Sequence, residues 1–156
     1  MRMRSRRRTT SLDTIYLGGA AARYRIADDG MVDASLSGLL TPKNAGLLSG
    51  LLLAAGVERR AVGVLSSVEQ ALVALPPIAP AHYAYVPPDM HNVPVAVIVS
   101  PEQYGVYARI TQAAAVKGTI RRAFLSRDEA EAWVREQCRA LRANRNWWSG
   151  QRPSLS

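Results

Sequence analysis

The side chains that could do chemistry are few and scattered. His82 and His91 stand nine residues apart in a proline-rich stretch, with Asp89 between them. A His-Asp-His metal site can be drawn from these three, but the spacing matches no usual ligand pattern. Ser66, His82 and Asp89 make a serine-nucleophile triad on paper, yet no nucleophile elbow surrounds Ser66. Cys138 falls on the apolar stripe of a helical segment, where a thiol acts as a small core residue. No G-x-x-x-x-G-K-S/T loop and no G-x-G-x-x-G occurs, so nucleotide phosphate binding has no motif behind it. No catalytic residue, metal or cofactor is expected.

The tyrosines carry more. Tyr83 and Tyr85 sit beside His82 in the proline-rich stretch, and Tyr104 and Tyr107 at the start of a helix. Ligands of α/β sheets gather outside the carboxyl ends of the strands. A helix start such as Ser100-Pro101-Glu102 also favours anions, although Glu102 opposes that. His82, Tyr83, Tyr85, Tyr104 and Tyr107 are therefore expected to form a small-ligand pocket or a protein-docking surface. The alternative is that the tyrosines are core or rim residues. Trp147 and Trp148 lie among Arg142, Arg145 and Arg152 past the last helix, which suits docking on a partner subunit or on the chain's own surface.

These residues need elements to hold them. The central one is Val93 to Gln103, reading VPVAVIVSPEQ. Its apolar run does not alternate, so both faces are expected to be covered, as in the middle of an α/β sheet. Ser100 reads as a helix N-cap, Pro101 as the first helical residue and Gln103 as the third position of a capping box. Upstream, the two runs from Ala22 to Ser37 alternate around Asp28-Asp29-Gly30, which predicts a hairpin. Thr41 and Pro42 start a helix that Gly56 should end, with Leu47, Leu48, Leu51, Leu52 and Ala55 as its apolar stripe. A short strand over 61–65 follows, and Ser66 or Ser67 should then cap a short helix with Ala71, Leu72 and Leu75 turned inward. Residues 76–92 hold five prolines and read as a functional loop or a stiffened crossover. After the central unit come a helix stopped by Gly118, a strand from Thr119 to Phe124 with Arg121 and Arg122 at an edge or rim, and a last helix capped by Ser126. This order predicts an α/β fold: a mixed β-sheet with an N-terminal antiparallel hairpin, central parallel strands and flanking helices.

The chain has 156 residues, 20 basic and 12 acidic, for a net charge of +8. Five of the arginines, Arg2, Arg4, Arg6, Arg7 and Arg8, lie in the first eight residues, and the remainder is only mildly basic. That block suits either an unstructured leader or a non-specific nucleic-acid contact. Residues 1–20 are expected to be a basic tail, 21–142 one domain, and 143–156 a polar tail carrying the two tryptophans. One cysteine excludes an intrachain disulfide, which suits a reducing, cytoplasmic location. No apolar run approaches the ~20 residues of a membrane span.

The C-terminal half also carries a resemblance. VPVAVIVSPEQYGVY, a helix ending in KGTIRRAF, and SRDEAEAWV resemble the STAS-like domains of bacteria related to the sporulation antagonist SpoIIAA. The matching positions are the Tyr104-Gly105 pair and Phe124 with Glu129, Ala130 and Trp133, and the likeness spans roughly residues 22–142. The resemblance implies a STAS fold and a non-enzymatic regulatory role that works by binding a protein partner, as the anti-sigma-factor antagonists do, with a homodimer as one assembly. It also implies a rival reading, a small-ligand carrier for a lipid-like or anionic molecule. True antagonists have a phosphorylated serine in an Asp-Ser-Ser-Gly or Asp-Ser-Thr-Gly turn after the third strand. Here that position reads Leu65-Ser66-Ser67-Val68-Glu69, without the acid or the glycine. Ser66 and Ser67 are phosphorylation candidates on the resemblance, and helix caps on the local reading.

Overall fold

The computed structural model describes residues 12–58, 62–73 and 92–143. The element order is β1 (Asp13–Leu17), β2 (Ala20–Ile26), β3 (Met31–Leu40), α1 (Pro42–Glu58), β4 (Gly63–Val73), β5 (Val95–Ile98), α2 (Pro101–Val116), β6 (Arg121–Phe124) and α3 (Arg127–Ala143). The six strands form one sheet in sequence order. β1, β2 and β3 are antiparallel, and β3 through β6 run parallel. This is the mixed α/β sheet that the patterning predicts.

β5 is the middle of the core. All four of its residues are buried. Val95, Val97 and Val99 pack with Leu48, Leu52, Tyr107 and Ile110 on the side of α1 and α2. Ala96 and Ile98 pack with Ala130, Val134 and Cys138 on the side of α3. A strand covered on both faces has no reason to alternate, which is why its sequence does not. α3 comes close to the sheet because β4 opens on a glycine. A Cβ on Gly63 would stand 2.7 Å from Val134 Cγ1 and 3.0 Å from Cys138 Sγ. Phe124 and Trp133 meet across β6 and α3 with ring centroids 5.5 Å apart.

Four expectations need correction. The hairpin forms around residues 27–30, with Gly30 at φ +88°, but a further strand precedes it. Residues 13–17, read as tail, are β1, and Ile15 and Leu17 pack on the main core. The short helix after residue 65 does not exist, because β4 continues to Val73. A register shift opposite Ser35–Ser37 puts one extra residue into β4. Val68 and Ala71 thereby come to face the same core, and a spacing of three reads as helical from sequence although a β-bulge produces it. α1 runs past Gly56 to Glu58. Only part of its stripe is buried: Leu48 and Leu52 face the sheet, whereas Leu47 and Leu51 are 49% and 46% exposed. One helix face turns a single row of i, i+4 residues inward, and the neighbouring row lies about 100° around the axis.

Candidate functional site

The candidate site lies at the carboxyl ends of β4 and β5, where β4 outruns its neighbour. β5 ends at Ile98, opposite Ser67, whereas β4 stays paired with β3 from Gln70 to Val73. The start of α2 fills the place of the missing strand. Ser100 caps α2, accepting from the Gln103 N–H at 3.3 Å, and its own N–H donates to Gln103 Oε1 at 2.9 Å. The same Gln103 side chain reaches back to the sheet. Its Nε2 donates to the carbonyls of Val68 at 2.8 Å and Ala71 at 3.0 Å, flanking the bulge. One amide thus closes the helix cap with its oxygen and satisfies the free edge of β4 with its nitrogen.

Between these elements lies a groove of about 320 Å³. Ala71, Leu72, Val73, Val106 and Tyr107 form its apolar lining, and Glu69, Ser100 and Glu102 its polar rim. Leu72 is 72% exposed and sits opposite Leu39, itself 47% exposed, in the β3–β4 register. Tyr104 stands 42% exposed on the first turns of α2. Leu39 and Leu72 thus form an exposed apolar pair at the carboxyl ends of β3 and β4, beside a groove that Glu69 and Glu102 rim.

Of the candidate residues, Tyr104 and Tyr107 come to this end, but they differ. Tyr107 is buried and packs in the core, and Tyr104 faces solvent. Ser66 and Ser67 lie inside β4 and cap no helix. Ser66 is buried, aligned with Ala34 and Val97 on the flanking strands. Ser67 is half-buried, and its hydroxyl bonds the Glu69 carboxylate at 3.2 Å. His82, Tyr83, Tyr85, Asp89, His91, Trp147, Trp148 and the arginines at positions 2, 4, 6, 7 and 8 lie outside the described residues. Among the described residues no three His, Cys, Asp or Glu side chains group as metal ligands. No helix there is long and apolar enough to cross a membrane. The buried Cys138 thiol donates to the Val62 carbonyl at 2.9 Å, as suits a core residue.

A charged cleft that the sequence reading missed runs between α3 and the β2–β3 hairpin. Arg127 bonds Asp33 at 2.5 Å, with Arg25 3.8 Å from the same oxygen. Arg135 joins Asp29 at 2.5 Å and Glu131 at 2.9 Å. The Arg135 hydrogen bond holds the Asp29 carboxyl below its ordinary value, and the Asp33 hydrogen bond raises the Arg127 guanidinium. Within α3 the i, i+4 spacing of Glu131 and Arg135 was a visible signal, but the strand partners are not local in sequence. With both signs paired, the cleft fastens α3 to the hairpin.

No family model matches the sequence, and no curated protein matches it. Among solved structures, the chain is similar to the crystal structure of an anti-sigma factor antagonist from Mycobacterium paratuberculosis. The identity is 16%, the alignment covers 80% of this chain and 95% of that one, and the TM-score is 0.47.

Proposed function

We propose that this chain is a non-enzymatic regulatory module that binds a protein partner through the surface formed by the carboxyl end of β4 and the start of α2. The observation that carries the reading is the exposed leucine pair Leu39 and Leu72, aligned across β3 and β4, with Leu72 also lining the groove. An exposed leucine pair next to a depression with acids at its rim has the make-up of a docking surface. The Gln103 bridge supports it by fixing the helix start against the strand edge, so the surface is preorganised. The sequence resemblance to anti-sigma-factor antagonists agrees with this role.

The test is site-specific photo-crosslinking in the host cell. A crosslinking residue at position 72 or 104 should capture one protein partner. The same residue at position 116, where Val116 is 88% exposed at the far end of α2, should not. Equal capture at all three positions, or none at 72 and 104, refutes the reading. Capture of a second copy of this chain at 72 identifies a homodimer. The second reading, a small-ligand carrier, draws on the groove itself, whose 320 Å³ lies at the low end of ligand pockets. Native mass spectrometry of the purified protein would show a retained ligand if that reading holds.

A further inference from the structure

Three side-chain polar atoms on two residues at the start of β6 are buried without hydrogen-bond partners. The Nε and Nη1 atoms of Arg121 are sealed from solvent and unpartnered, and so is the hydroxyl of Thr119. The main chain beside them makes bonds of its own: the Thr119 N–H donates to the Ala114 carbonyl, and the Ile120 carbonyl accepts from the Val95 N–H. Arg121 shares its strand face with Ala123, which packs in the core beneath α2. Tyr107 is close enough to act electrostatically on the Arg121 guanidinium, whose ordinary value burial pushes down. Among the described residues no carboxylate pairs with Arg121.

A guanidinium cannot shed its charge in a protein. Its burial without a counter-ion is strongly unfavourable. A water molecule could take the orphaned hydrogen bonds but would leave the charge uncompensated. Arg122, the next residue, shows the ordinary solution: it lies outside, with its guanidinium 5.5 Å from the Phe124 ring centroid. The inward position of Arg121 calls for a negative partner.

We propose that Arg121 and Thr119 form a binding site for a small oxyanion, a phosphate or carboxylate group, between β6 and α2. The guanidinium supplies charge-assisted donors, and the threonine hydroxyl supplies one more. Access is available because β6 is the edge of the sheet and Arg121 as a whole keeps partial exposure. The site does not depend on the partner surface proposed above.

Thermal unfolding of the full chain tests it, with inorganic phosphate in one arm, acetate in another, and chloride at matched ionic strength and pH as reference. The melting temperature should rise saturably by about 3–6 °C at tenfold the half-saturating concentration of the preferred anion. Which arm responds separates a phosphate from a carboxylate ligand. Arg121→Met should abolish the saturable response. Thr119→Val, close to isosteric and free of the orphaned hydroxyl, should fold and shift half-saturation several-fold upward. If neither anion gives a saturable rise in the native chain, or if Arg121→Met responds as the native chain does, the proposal is wrong. An unchanged half-saturation in Thr119→Val removes Thr119 from the site.

Discussion

Gln103 offers the sharpest test of how the helix start and the sheet are joined. In an isolated capping box, Glu serves as well as Gln at this position, and a carboxylate near a helix N-terminus is mildly favourable. Here Gln103→Glu should keep the bond from the Ser100 N–H and lose both bonds from Nε2 to the Val68 and Ala71 carbonyls. Each lost bond is worth about 1 kcal/mol, and the carboxylate then faces two carbonyl oxygens in a half-buried place. The expected cost is roughly 2–3 kcal/mol in all, or a melting temperature lower by about 4–12 °C for a chain of this size. Gln103→Met, which also loses the return bond of the cap, should cost roughly 1 kcal/mol more. Urea unfolding followed by circular dichroism measures both. The Gln103→Glu deficit should shrink as pH falls through the titration of the new carboxyl, since a protonated oxygen can donate to one carbonyl. If Gln103→Glu is within 0.5 kcal/mol of the native chain at neutral pH, a margin typical of neutral surface changes, the bridge does not hold the bulge.

Other outcomes follow from packing and charge. Gly63→Ala should destabilise by about 1–3 kcal/mol in urea titration, because the new methyl meets Val134 and α3 must shift outward. Asp29, held below its ordinary carboxylate value by Arg135, contributes stability above its unfolded value and loses it as pH falls through the lower folded one. Stability should therefore decline below about pH 4, and Asp29→Asn should lower stability at neutral pH slightly while flattening that decline.

Much of this was legible from local pattern. The β5 run, the Ser100 capping box, the Asp-Gly hairpin and the last helix all rest on neighbours in sequence, and they stand in the structure. The Phe124 and Trp133 positions that carry the family resemblance are in ring contact. The errors share a cause. β1 is short and half-exposed, with Tyr16 79% exposed, so only pairing with β2 makes it a strand. The bulge in β4 disguised a strand as a helix. Of the candidate surface, the helix start with Tyr104 and Tyr107 was visible as a local pattern, but Leu39 and Leu72 join only through the β3–β4 register, which no short-range signal encodes. The same holds for Arg121, which the sequence placed at the rim. It does lie on the edge strand, and only the packing of α2 over that strand turns two of its nitrogens away from water.

By itself, then, the sequence determined the α/β class, the central buried strand and the capped helix that follows it. Those depend on apolar periodicity and on hydrogen bonds within four residues. The tertiary structure decided where β4 ends, what Gln103 holds, and which polar groups are sealed. Those depend on contacts between segments far apart in sequence, as the Gln103 bonds to Ala71 and Val68 across 32 and 35 residues show.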